Sequence, residues 1–73
     1  MSNFSIRLKE LRRINNITQA ELAKMVGLSI ISISKYENGR TPNYLKVLYM
    51  AEIFGVSMDY LLGYSDDPNP RKN

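Results

Sequence analysis

Apolar residues recur along this chain at the spacing of short amphipathic helices, broken by asparagine, glycine and proline. Phe4, Leu8 and Leu11 fall on one face of a helix predicted over 4–14, which Asn15 and Asn16 end. Leu22, Ala23 and Val26 mark the inner side of a second helix, Gln19–Val26, and Ala23 suits a point where two helices cross closely. Thr18 and Glu21, three residues apart, fit a capping box, each side chain satisfying an orphan N–H at the helix start. Gly27 stands where the chain must leave the helix, because glycine takes a positive φ without steric cost. Ser29 is placed to cap a third helix over 29–38, with Ile33 and Tyr36 inward and Gly39 closing it. Taken alone, Ser29–Tyr36 is rich in isoleucine and serine and partly alternating, and would pass for a strand. The capping serine and the bracketing glycines argue for a helix instead.

The second half of the chain reads differently. Pro42 fits the first position of a fourth helix over 42–54, with Thr41 as its cap. Tyr44, Val47, Ala51 and Phe54 form one apolar stripe on it, while Leu45, Tyr49 and Ile53 form another. A helix apolar on two sides is normally covered on two sides, and so short a chain has little left to cover the second. A surface for a second copy of the protein is therefore expected, with Tyr60 and Tyr64 as further members; the alternative is that Leu45 and Tyr49 lie exposed singly. Gly55 ends the fourth helix, and Ser57 caps a fifth with Asp59 in its first turn and Met58, Leu61 and Leu62 closing the core. Residues 65–73 hold no apolar side chain except prolines, so residues 1–64 read as the domain and 65–73 as a flexible tail.

Composition narrows the chemistry. A chain of 73 residues is one domain with a small core, burying about 60% of its unfolded surface. It has neither cysteine nor histidine, which removes disulfides, thiolate metal sites and the commonest general base, so no cofactor or metal is expected. An enzyme is a poor reading: the remaining carboxylates are scattered, Ser34 and Lys35 imply no pocket, and no glycine-rich phosphate loop is present. No apolar run approaches the roughly 18 residues of a membrane span and residues 1–5 begin no signal peptide, so a cytoplasmic location is expected. The net charge of +3 is unevenly spread. Residues 1–46 hold eight basic against three acidic side chains, whereas residues 47–73 hold two against four. Positive potential therefore accompanies the second and third predicted helices, as a polyanion-binding face requires; by itself it also fits an ordinary solvated surface.

With Ile33 and Tyr36 inward, the third helix turns Ile30, Ile31, Ser34 and Lys35 outward. Isoleucine cannot hydrogen-bond a base edge but can meet the thymine methyl group, while Lys35 and Ser34 can donate to a base or a phosphate. The alternatives are that one isoleucine belongs to the core, or that this surface binds protein. The start of the second helix, at Thr18 and Gln19, presents free N–H groups and the positive end of the helix dipole, which suits a phosphate. Arg40 and the loop from Asn38 are placed to meet the sugar–phosphate strand beside a groove.

The stretches T-Q-A-E-L-A-K-M-V-G-L-S (18–29), I-S-K-Y-E-N-G (33–39) and G-V-S-M-D-Y-L-L-G (55–63), in this order, resemble the helix-turn-helix repressors of phage Cro and CI type, the XRE family. The resemblance covers nearly everything from residue 4 to residue 63. It implies an all-α, compact five-helix lambda-repressor-like domain, with the second and third helices as the helix-turn-helix. It also implies a dimer that binds double-stranded DNA at a near-palindromic site and most often represses transcription. Within that resemblance Gln19 lies against the DNA backbone, and Arg12, one turn past Leu8, pairs with Glu37 as a structural ion pair beneath the third helix. The remaining basic residues of the first helix (Arg7, Lys9, Arg13) are expected in solvent, Arg13 being an outside candidate for a phosphate. Ile30 and Ile31 depart from the polar residues common at those family positions. A protein-interaction module such as an antitoxin shares this fold and is the competing reading, the second apolar stripe then facing a protein partner. Many relatives carry a further domain, so the chain reads either as a minimal regulator or as a DNA-binding domain alone.

Overall fold

The computed structural model describes residues 3–70. It contains five helices: α1 (Asn3–Ile14), α2 (Gln19–Val26), α3 (Ile30–Glu37), α4 (Tyr44–Phe54) and α5 (Met58–Leu62), with no strand among the described residues. Residues 30–36 are thus helical, with Ser29 as the extended cap, because Ile33 and Tyr36 reach the core at helical spacing. Thr18 and Glu21 form the expected capping box, and Gly27 ends α2 at φ 70° with its N–H on the Ala23 carbonyl. Ser29 accepts from the Ser32 N–H and starts α3.

The core is one cluster. Phe4, Leu8 and Leu11 of α1 meet Leu22, Ala23 and Val26 of α2, Ile33 of α3, Val47, Met50 and Ala51 of α4, and Leu61 of α5. Helix α1 lies against both α3 and α5, so it holds the two halves of the domain together. Its contact with α5 is close: a Cβ on Gly63, at φ 86°, would stand 2.3 Å from Asn3 Cβ.

Three expectations need correction. Helix α4 starts two residues later than proline placement suggests: Asn43, not Thr41, is the cap, its Oδ1 accepting from Lys46 N at 3.1 Å. Asparagine is the stronger cap of the two, and its side chain closes the first turn that Pro42 could only have begun. The inward stripe shifts with it. Tyr44 is 69% exposed, and Met50, absent from the predicted stripe, is fully buried beside Val47 and Ala51. Arg7, expected in solvent, reaches across to α5. It donates to the Tyr60 carbonyl at 2.6 Å, the Ser65 carbonyl at 2.5 Å and Asp66 Oδ1 at 2.8 Å, and its guanidinium lies 4.1 Å from the Tyr60 ring centre.

The same contacts engage the segment after α5. Ser57 N donates to the Pro68 carbonyl at 2.9 Å and Ser57 Oγ to the Asp67 carbonyl, so residues 65–68, read as tail from composition, lie hydrogen-bonded against the domain. Residues 71–73 of that tail lie outside the described residues.

Of the five residues assigned to a partner surface, Leu45, Tyr49 and Tyr64 are exposed, whereas Ile53 and Tyr60 are half-buried and pack on the domain's own core.

Candidate nucleic-acid interface

Helix α3 has two unlike faces. Ile33 is fully buried, while Ile30 and Ile31 are 51% and 68% exposed, so neither isoleucine belongs to the core. Lys35 is exposed beside them and Ser34 half-buried. The two adjacent isoleucines therefore leave an apolar surface on the outer side of α3.

Beneath this helix lies a buried polar clamp. Glu37, 1% exposed, receives Arg12 Nε at 2.5 Å on Oε2 and Arg12 Nη2 at 3.2 Å on Oε1. Arg12 Nη1 donates to the Ile17 carbonyl at 2.9 Å, tying the clamp to the turn before α2. The paired, two-pronged geometry suits a guanidinium and fixes the relative position of α1 and the end of α3. The ion pair expected from the resemblance is therefore in place. Gln19 joins it, its Nε2 donating to Glu37 Oε1 at 3.1 Å, so one amide hydrogen points into the domain.

The two ends of the helix-turn-helix are closed by different means. At the start, Thr18 N donates to Glu21 Oε1 at 2.9 Å and Glu21 N to Thr18 Oγ1 at 3.1 Å. The Thr18 backbone N–H and then its hydroxyl stabilise the Glu21 carboxylate and hold its pKa below the usual glutamate value. At the far end, Asn38 Nδ2 donates to the Ser34 carbonyl at 2.6 Å, and Asn38 N and Arg40 N both donate to the Lys35 carbonyl. The Tyr36 carbonyl receives Ser5 Oγ at 2.6 Å, from α1. Ser5 in turn accepts from Gly39 N at 2.9 Å. Arg40 is exposed immediately beyond.

Ser5 was not singled out by the sequence reading. Its signal was available: a small polar residue beside Phe4 and three residues before Leu8, on an otherwise apolar helix face. Lys46 was likewise read only as charge, yet its Nζ donates to the Val26 carbonyl at 2.8 Å and closes the end of α2. Gln19 meets Glu37 at the C-terminal end of α3, where Asn38 and Arg40 follow, Thr18 caps α2 next to Gln19, and Ile30, Ile31, Ser34 and Lys35 lie along α3. No group of three or more acidic side chains that could hold a metal occurs among the described residues, and no helix there is long and apolar enough to cross a membrane.

A family model described as a helix-turn-helix domain matches residues 6–63. The chain belongs to this helix-turn-helix family. Among solved structures, the P22 c2 repressor, solved in complex with a synthetic operator, superposes with a TM-score of 0.78 at 36% identity, covering 85% of this chain and 96% of that one. Among helix-turn-helix relatives, the regulator YobD of Bacillus subtilis is 36% identical over 66 residues, covering 89% of this chain. This chain spans 59% of YobD, so YobD has a substantial further part. The regulator MJ0272 of Methanocaldococcus jannaschii is 37% identical over 62 residues, covering 84% of this chain and 94% of its own length.

Proposed function

We propose that this helix-turn-helix chain is a sequence-specific regulator of transcription that binds double-stranded DNA in the cytoplasm and acts as a repressor by occupying a promoter. The observation that carries the reading is the outward, apolar and basic face of α3, backed by a buried clamp, in a chain similar to a repressor solved on its operator. Ile30 and Ile31 meet thymine methyl groups in the major groove, and Ser34 and Lys35 supply hydrogen-bond donors to base edges or phosphate. Thr18, Gln19, Asn38 and Arg40 set position on the sugar–phosphate backbone. Gln19 keeps one amide hydrogen on Glu37 and offers the second to a phosphate.

Two copies read successive major-groove turns, about 34–36 Å apart, on a near-palindromic site. Leu45, Tyr49 and Tyr64 form their contact, with Ile53 and Tyr60 supporting it from behind. No catalytic, metal or cofactor role enters this account.

Selection of bound sequences from a random duplex pool at two salt concentrations tests it. Enrichment of a near-palindrome is expected, and Arg40→Gln is expected to weaken binding to all duplexes alike and lower the salt slope by about one. No enrichment, together with a stable monomer that forms a tight 1:1 complex with another protein, would replace it with the interaction-module reading.

A further inference from the structure

The C-terminal end of α3 is where the reading helix hands the chain to the phosphate-facing loop, and it is closed from a distance. A helix leaves its last four carbonyls without intrahelical partners. In α3 the Ser34 carbonyl takes Asn38 Nδ2 and the Lys35 carbonyl takes two backbone N–H groups. The Tyr36 carbonyl is met by Ser5 Oγ, which comes from the first turns of α1, 31 residues earlier in the chain. The same oxygen accepts the Gly39 N–H, so one fully buried hydroxyl bonds the helix end and the loop that leaves it.

Gly39 has φ 118°, a conformation that side-chain-bearing residues rarely adopt, and it directly precedes Arg40. Gly39 alone has many backbone states open to it. The Ser5 bond restrains the Gly39 N–H while the Arg40 N–H holds the Lys35 carbonyl, so the two bonds bracket the point at which Arg40 leaves the domain. We propose that Ser5, resting on the DNA-binding reading above, is a positioning residue for phosphate contact. Its hydroxyl pre-orders the Asn38–Gly39–Arg40 loop so that Arg40 meets the backbone without an ordering step on binding. The role is separate from base readout, because the Ile30–Ile31 end of α3 lies at the opposite end of the helix.

The test is Ser5→Ala, alone and combined with Arg40→Gln, with affinity measured for specific and unrelated duplexes across salt, at a temperature where each variant is fully folded. Ser5→Ala is expected to weaken binding to all duplexes alike by about tenfold, one hydrogen bond's worth, and to lower the salt slope toward that of Arg40→Gln. On the Arg40→Gln background the same change is expected to cost little, since the contact it positions is gone. An unchanged slope with fully additive losses would overturn the proposal and leave Ser5 as a packing residue. Amide exchange of the unaltered chain gives a reading that needs no variant and no DNA. The Gly39 N–H is expected to exchange only with global opening, although Gly39 is exposed, and exchange at the rate of an open loop would overturn the proposal even if Ser5→Ala fails to fold. Absence of salt-dependent duplex binding by the unaltered chain would instead overturn the DNA reading and the positioning role with it, while a protected Gly39 N–H would still report the bond.

Discussion

The entry and the exit of the helix-turn-helix are held by contacts of opposite range. At the entry, the N-caps of α2 and α3, Thr18 with Glu21 and Ser29 with Ser32, each lie three residues from their targets. The end of α2 between them also takes Lys46, from 20 residues away. At the exit, the Glu37 end of α3 is held by Gln19, Arg12 and Ser5, at separations of 18, 25 and 31 residues. The entry can form as soon as its own few residues are helical. The exit exists only when α1 has docked, so the loop carrying Arg40 inherits its geometry from the whole fold. The end of α3 that carries the Arg40 loop is thereby tied to the docking of α1, whereas the cap at its start is local.

Breaking the exit should have the largest effect. Glu37→Ala leaves the Arg12 guanidinium, itself largely buried, without its carboxylate, and a loss of about 3–5 kcal/mol is expected in urea denaturation. A loss near that of an ordinary surface change would show that water replaces the partner, and that the exit is less dependent on α1 than the separations imply.

Gly63→Ala attacks the same end from the other side of α1. The new Cβ would meet Asn3 Cβ at 2.3 Å and the residue would be held at φ 86°. A destabilisation of about 2 kcal/mol is expected from the left-handed backbone and the overpacking together. If α1 is the lever that holds the exit, the Gly39 N–H should lose exchange protection in this variant while amides in α2 change less.

The smallest effect is expected at the entry, and it depends on pH. Because the folded pKa of Glu21 lies below its unfolded value, the carboxylate contributes stability at pH above the ordinary glutamate range. That contribution is lost as pH falls through the lowered folded value. Glu21→Gln keeps a side chain that can still close the box but removes the charge. The stability difference between the two proteins should therefore narrow on acidification, and a difference independent of pH would mean that charge plays no part in the cap.

Much of the helix-turn-helix was legible in order along the chain. Thr18, Gly27 and Ser29 placed the boundaries of α2 and the start of α3 correctly, because a capping side chain and a left-handed glycine act on neighbours a few residues away. The outward set Ile30, Ile31 and Lys35 followed from Ile33 lying inward, since a helical period fixes the opposite face once one face is known. Helix α4 was harder. With apolar residues on several sides, its periodicity does not say which stripe is chosen, and the structure exposes Tyr44 and buries Met50. The Arg12–Glu37 pair came from family resemblance, because nothing in the local spacing of the two residues brings them together.

The residues alone determined the entry caps, the turn at Gly27 and the exclusion of histidine and cysteine chemistry, all properties of composition or of short windows, while the all-helical class also drew on the family resemblance. Tertiary structure decided which side of α4 is buried, that Arg7 serves the end of α5 rather than solvent, and that Ser5 and Gln19 reach the exit of α3. The reason is range: a cap is a choice between two states of one turn, whereas a hydroxyl meeting a carbonyl 31 residues away depends on how α1 and α3 dock.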